Sequence, residues 1–520
     1  MPDPSLLRLV NGVIWPGFTG RTVPAWLDRE LRDGLAGAVY FAPNLDPDDP
    51  QQPGRLSAAL RERNGSAIIG IDEEGGTVTR LHATTGSPLP DAAALGSIDD
   101  EHVTRAAGRA LGAMARAAGI DLLLAPVADV NSNPRNPVIG VRSFGASTDL
   151  VSRHVAAMVE GIQEQGVGAC AKHFPGHGDT SQDSHLSLPV LDLSRAELES
   201  RHLPPFQAAV DAGVRAVMSA HLVAPGFGPL PATLNPAAWS LLRSFGFDGL
   251  AVTDALDMAA IRSTIGMGAG AVQAVLAGAD LLCTGNPAQR GPGQAQRSDE
   301  DVFLEVQTAL LAALDDGTLT PARLEESLER RSAFTEWAGS PSDVTLPSTP
   351  DRTLWTDAAR RAFRFTGAKG VATREAGNGS RTGAATGMGV IDARHAGSLA
   401  TGPLADVFTR ALAARTGTER RTAADTSQAL AALSDLRAEA ADVVVLLCDD
   451  LTGPGQRDLA RRIAAADGGV VVVNTGMMPV DPPAFGVIHT FGASAPAAAA
   501  LAALLLNPSR KSLTYKMIVS

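Results

Sequence analysis

The chain has 520 residues, 45% hydrophobic and 19% charged, with a net charge of −12. That length exceeds one ordinary core and predicts two or three domains, although a (β/α)8 barrel alone absorbs ~250 residues. The acidity argues against a nucleic-acid partner, and no apolar run reaches the ~18 residues of a membrane-spanning helix; three distant cysteines, Cys170, Cys283 and Cys448, form neither a disulfide framework nor a cysteine metal site.

Residues 1–20 lack the basic region, apolar run and small-residue cleavage site of an export signal, so a cytoplasmic location and no membrane partner are expected. Apolar, strand-like runs occur at Leu9–Pro16, Gly37–Phe41, Ser66–Ile71, Asp121–Val130, Gly168–Lys172, Ala216–Ala220, Gly249–Thr253 and Ala279–Cys283. Between them, Pro24–Arg32, Val103–Ala118, Leu150–Glu164 and Arg195–Ala212 have helical period, the first opening on a Pro that suits a first helical turn. Eight alternating βα units predict a (β/α)8 TIM barrel over residues 1–338, with a doubly wound open sheet as the alternative. Sites form at the C-terminal ends of barrel strands. Asp72, Asp129, Lys172 with His173, His221 and Asp254 stand at five such ends.

The stretch GSPSDVTLPSTP opens a linker over residues 339–355. Over residues 356–520, the runs Phe363–Thr373, Gly389–Asp392, Ala441–Cys448, Gly469–Asn474 and Val487–Phe491 read as parallel strands with Ala-rich helices between them, a smaller αβα-sandwich domain. Arg374–Thr386 reads as a loop, and the last dozen residues, SRKSLTYKMIVS, as an appended tail. Asp449, Asp450 and Asn474 look isolated, and no catalytic constellation is expected in this half.

Only four of the 44 basic residues are Lys, and Lys172 is the only one before Lys369. A position that keeps Lys against such a bias calls for an ammonium rather than a guanidinium. The segment KHFPGHGDTSQDSHLSLP, Lys172–Pro189, holds three of the ten His, at 173, 177 and 185, with Asp179 and Asp183. Its Pro and Gly residues make it a shaped loop after a strand. Three readings compete: a metal site on the three His and a carboxylate, a loop bonded to itself through His177 and Asp179, or a catalytic pair in which Asp183 orients His185.

In GFDGLAVTDALDMAAI, Asp254 ends a strand, as either a helix N-cap or a rigid nucleophile; Asp257 is a second capping candidate. In IGIDEEGGTVTRL, Asp72 and Arg80 can grip vicinal sugar hydroxyls, or form a surface ion pair worth little. The irregular course of LAPVADVNSNPRNPVIGVRSF is fixed by two Asn-Pro steps and can aim Arg142 inward.

The segments GIDEEGGTVTRL, APVADVNSNPRNPVIGVRSFG, AKHFPGHGDTSQDSHLSLP, MSAHLVAPGFGPLPATLNP and GFDGLAVTDALDM, in this order, resemble glycoside hydrolase family 3 in its two-domain β-N-acetylglucosaminidase branch, over about residues 8–335. The resemblance implies a retaining exo-β-N-acetylglucosaminidase with Asp254 as nucleophile, His185 as general acid/base and Asp183 as its dyad partner. It implies that Asp72, Arg80, Arg142, Lys172 and His173 hold the terminal sugar, and that neither metal nor cofactor takes part. The expected partner is a small carbohydrate, with muropeptide fragments, chitooligosaccharides and glycoconjugates all compatible.

Thr77 stands where the family usually has an Arg, and Val141 where it usually has an acid; both bear on fine substrate preference. The competing readings are a phosphorylase, since a His base does not repel phosphate, a β-glucosidase, a catalytically silent sugar-binding protein, and a metallohydrolase using the His cluster.

Overall fold

The structure, a computed structural model, describes residues 3–184, 187–286, 297–338, 349–367, 387–395, 397, 401, 405–416, 419–439, 441 and 443–506. The first eight strands are short and buried throughout, as parallel strands covered on both faces must be. They are β1 (Ile14–Trp15), β2 (Gly37–Tyr40), β3 (Ile68–Ile71), β4 (Leu122–Leu123), β5 (Gly168–Phe174), β6 (Ala216–Ser219), β7 (Leu250–Val252) and β8 (Leu282–Cys283). β2 to β7 pair in sequence order and β1 pairs with β8, all parallel. Parallel bridges from Gly17 to Val39 and from Val252 to Leu281 join the two sets, so the sheet closes into a barrel rather than an open doubly wound sheet.

Side chains fill the barrel. Trp15 donates its indole N–H to the Ile68 carbonyl at 2.8 Å. Its ring lies where a Cβ on Gly70 would be, 2.1 Å away, so only glycine fits there.

Three expected elements differ. Leu9–Pro16 is not one strand: Pro4–Asn11 is a helix, with Asp3 capping the Ser5 N–H and Pro4 in the first turn, and only Ile14–Trp15 pairs. Asp121–Val130 is a regular strand only at β4; the chain beyond is irregular, although Val127 still bridges Lys172 of β5 in parallel. Arg195–Ala212 is broken into Arg195–Glu197, a wide turn Leu198–His202, and Pro204–Asp211, because Pro204 and Pro205 cannot donate to the preceding turn.

A second six-stranded sheet has the order β11-β10-β12-β13-β14-β9. Its strands are β9 (Arg364–Thr366), β10 (Met388–Asp392), β11 (Glu419–Thr422), β12 (Val443–Cys448), β13 (Val470–Asn474) and β14 (Val487–His489). Separate apolar clusters, around Phe408 with Leu501 and around Leu433 with Ile463, make it a three-layer sandwich. Contrary to the parallel expectation, β9 is antiparallel to β14. The edge strand β11, ERRT, lacks the apolar pattern that would announce it.

The expected linker 339–355 ends in structure: a helix, Arg352–Ala362, begins inside it. Trp355 of this helix joins the barrel core and Ala359 the core of the second unit. The segments expected as the start of the linker, the Arg374–Thr386 loop and the terminal tail fall outside the described residues, apart from 349–350 of the linker stretch. No helix among the described residues is long and apolar enough to cross a membrane.

Candidate active site

Charged side chains converge beyond the end of β3. Lys172, on β5, is 1% exposed, and its Nζ lies 2.7 Å from both Asp72 Oδ1 and Glu74 Oε1. Arg142 grips Glu74 with two prongs, Nε to Oε2 at 2.9 Å and Nη2 to Oε1 at 2.7 Å. Arg80 Nη2 stands 3.9 Å from Asp72 Oδ2. Burial pushes the Glu74 carboxyl up, but the Arg142 and Lys172 charges outweigh it and hold it well below the usual carboxylate range. Burial likewise pulls Lys172 down, and Asp72 and Glu74 more than offset it, so the ammonium is kept.

The loop after β3 turns at Gly75 and Gly76, both with positive φ (+86° and +58°). A Cβ on Gly76 would meet the Asp91 carboxyl carbon at 2.2 Å, so the turn needs glycine. Asp91 is buried and accepts hydrogen bonds from the Thr77 N–H and hydroxyl through one oxygen. Burial raises its pKa to about 7. Glu73 is also buried and accepts from the N–H groups of Arg80 and Leu81 at 2.8 and 2.9 Å, which fixes the segment that presents the Arg80 side chain.

The end of β5 is organised by Asp129. Its carboxylate accepts from His173 Nδ1 at 2.7 Å and from the His177 N–H at 2.7 Å. Burial pushes Asp129 up, and the adjacent His173 brings it below its ordinary value. Asp183 is described and its carbonyl accepts from the Ser187 N–H at 3.0 Å; His185 lies outside the described residues. Among the described residues, no group of His, Cys, Asp or Glu side chains is arranged to hold a metal.

Asp254 stands two residues beyond the end of β7, but no helix starts there. The next helix is Ala259–Arg262, with Met258 at its N-cap, so neither Asp254 nor Asp257 caps it. Asp254 accepts from the following Ala255 N–H at 2.7 Å. His221, at the end of β6, donates its Nε2–H to the Ala255 carbonyl at 2.9 Å and so holds the peptide next to Asp254.

One wall comes from the second unit. Arg80 Nη1 donates to the Thr401 carbonyl at 3.0 Å. A cavity of about 540 Å³ runs from Thr77 and Arg142 past the barrel loop 134–141 to His395, Asp449, Asp450 and Met477. Asp449 and Asp450 are therefore not isolated as expected: Asp449 accepts from His395 Nδ1 at 2.9 Å and from Gln456 Nε2 at 2.7 Å, and Asp450 accepts from the Gly453 N–H at 2.8 Å. Asn474 is engaged too, donating to the Met477 carbonyl at 2.9 Å.

The structure thus brings Asp72, Arg80, Arg142 and Lys172 together, with His173 on the same strand as Lys172 and Asp254 beyond the end of β7, two strands on from β5. Sequence reasoning missed Glu74, which joins Arg142 to Lys172, and Asp91. The signal for Glu74 was the run of three acids before Gly75–Gly76. A set of cations balanced by carboxylates at the barrel mouth suits a polyhydroxylated neutral ligand, with Asp254 as a fixed carboxylate beside it.

Residues 28–332 match the model of the glycosyl hydrolase family 3 N-terminal domain. A β-hexosaminidase of Stenotrophomonas maltophilia is 36% identical over 271 residues, covering 50% of this chain and 78% of that protein. A β-hexosaminidase of Xylella fastidiosa is 37% identical over 285 residues, covering 52% and 82%. The solved structure of a family 3 β-N-acetylglucosaminidase from a Paenibacillus species superposes with a TM-score of 0.81 at 30% identity, covering 96% of each chain.

Proposed function

The chain belongs to glycosyl hydrolase family 3, and from that premise we propose that it is a retaining exo-β-N-acetylglucosaminidase, with the chemistry in residues 1–338 and one wall of the site supplied by residues 356–520. The observation that carries the reading is Asp254: it stands at the end of β7 without capping a helix, on the barrel face where Lys172, Asp72, Arg80 and Arg142 converge. The β-hexosaminidase relatives and the Paenibacillus enzyme support the sugar class.

Glycoside hydrolysis needs a proton for the leaving oxygen and a group that meets positive charge at the anomeric carbon. In this reading the Asp254 carboxylate attacks the anomeric carbon as the C–O bond to the leaving sugar breaks. The His185 imidazolium, oriented by Asp183, delivers its proton to the departing oxygen. Neutral His185 then takes a proton from water as the water oxygen attacks the anomeric carbon and expels Asp254, so the β configuration is retained. Asp72, Arg80, Arg142, Lys172 and His173 hold the terminal N-acetylglucosamine. A His base carries no negative charge and would not repel phosphate, so the assay includes it.

The test is release of 4-nitrophenol from its N-acetyl-β-glucosaminide, with and without phosphate. Asp254→Ala is expected to lower kcat by at least ~10³-fold; full turnover by this variant sinks the assignment. Sugar 1-phosphate in place of free sugar would make the enzyme a phosphorylase. Profiling N-acetylglucosaminyl-anhydromuramyl fragments against chitobiose then separates the muropeptide and chitooligosaccharide readings.

A further inference from the structure

The mechanism leaves His177 without a task, yet its ring is 1% exposed and bonded at both nitrogens. Nδ1 lies 2.9 Å from Thr180 Oγ1, and Nε2 lies 3.0 Å from Ser184 Oγ. The backbone is held as firmly. The His177 N–H donates to Asp129 Oδ1, and Asn136 Nδ2 donates to the His177 carbonyl at 2.8 Å. Burial pushes the imidazole pKa down to about 4, so near neutrality the ring is uncharged, with one nitrogen donating and the other accepting. A hydroxyl on each side satisfies either tautomer, because Ser and Thr both donate and accept. Such a ring is a fixed strut, and its proton is out of reach of neutral-pH chemistry.

What the strut holds is Ser184. This residue is 2% exposed and sits in the chain between Asp183 and His185. We propose that His177 is the positioning residue of the proton-transfer pair: its bond to Ser184 Oγ fixes the backbone from which Asp183 and His185 both depart. The same residue carries that fixed point to the sugar-holding strand, since Asp129 binds the His177 N–H with one oxygen and His173 Nδ1 with the other. The loop needs the anchor because its Gly-rich course, PGHGDTSQDS, offers no large apolar side chain to pack it down. The inference rests on reading Asp183 and His185 as the groups that move the proton.

The experiment uses the full chain and two substrates, phenyl and 2,4-dinitrophenyl N-acetyl-β-glucosaminide, with kcat/KM as the readout because it reports the bond-breaking step. Phenol leaves poorly and needs the proton; dinitrophenol does not. Ser184→Ala, a one-atom deletion, is expected to lose about 10-fold on the phenyl substrate and less than about 2-fold on the dinitrophenyl one. His177→Phe, similar in size but without ring nitrogens, should follow the same pattern, and His185→Ala should show it more strongly. Damage to the fold alone would lower both substrates equally. Equal loss on both substrates, or none on either, overturns the inference while leaving the His185 reading intact if His185→Ala still discriminates. If His185→Ala itself fails to discriminate, the proton-transfer reading falls and the inference with it.

Discussion

Lys172 Nζ lies 2.7 Å from Glu74 Oε1, and the same carboxylate takes both prongs of Arg142. Glu74 is thus what allows two buried cations to stand side by side at the barrel mouth. Its side chain is 7% exposed, so removing its charge leaves two buried cations sharing Asp72. Glu74→Gln is expected to cost about 3–5 kcal/mol of stability, the usual penalty for breaking a buried ion pair from one side, and to raise KM as Arg142 and Lys172 lose their registry. Urea unfolding and steady-state kinetics check it. The pH sign is definite: the folded pKa of Glu74 is depressed, so its contribution is fully present above its unfolded value and is lost only as pH falls through the folded one. The stability gap between wild type and Glu74→Gln should therefore persist through neutrality and close only in strong acid.

Lys172→Arg keeps the charge and should still fail. The ammonium is a compact donor that reaches Asp72 and Glu74 at 2.7 Å each from a buried position, whereas a guanidinium is a wide planar fork. We expect kcat/KM to fall ~100-fold, about 2.7 kcal/mol of lost transition-state binding. Activity within a few-fold of wild type would mean that only the charge at residue 172 matters.

Much of this site was legible because chemistry-bearing residues sit at the ends of apolar runs, and a run of Val, Ile, Leu and Ala that stops at an Asp or Lys marks a barrel strand end. Asp72, Lys172, His173 and Asp254 were found that way. Glu74 was not, because three consecutive acids look alike in sequence; which of them joins Lys172 to Arg142 is decided by the Gly75–Gly76 turn and by Arg142, 68 residues away. Asp91 was invisible for the same reason: its environment comes from Gly76, Gly492 and Thr77, distant in sequence. The helix Pro4–Asn11 overlaps the expected strand Leu9–Pro16 only at Leu9–Asn11: the apolar run continues across the helix end into β1 and hides the boundary, although Asp3 and Pro4 are ordinary helix start signals.

Asp91 predicts a pH effect of opposite sign to that of Glu74. Burial raises its folded pKa to about 7, and one of its oxygens has no hydrogen-bond partner. The folded state therefore keeps a proton that the unfolded state loses above about pH 4, so stability falls between about pH 4 and about pH 7 and is level above. Asp91→Asn retains an acceptor for the Thr77 N–H and removes the titration. It should raise the melting temperature at pH 8 and have little effect at pH 4. The same shift at both pH values would mean that Asp91 does not titrate in this range.

Val141 tests how the two units share the site. It packs, as do Ile98 of the barrel and Met477 of the second unit, against a buried cluster of Ala93, Ala94, Ala362 and Phe491, immediately before Arg142. At residue 141 the chain presents an apolar side chain to an apolar cluster. A carboxylate there would be half-buried against this apolar cluster, at a cost of about 1–3 kcal/mol. It would also stand next to Arg142 and draw the guanidinium from Glu74. Val141→Asp is therefore expected to lower the thermal midpoint and to raise KM for N-acetylglucosaminides with kcat changed less. Wild-type stability with an unchanged KM would show that the apolar contact across the units supports neither the fold nor the site.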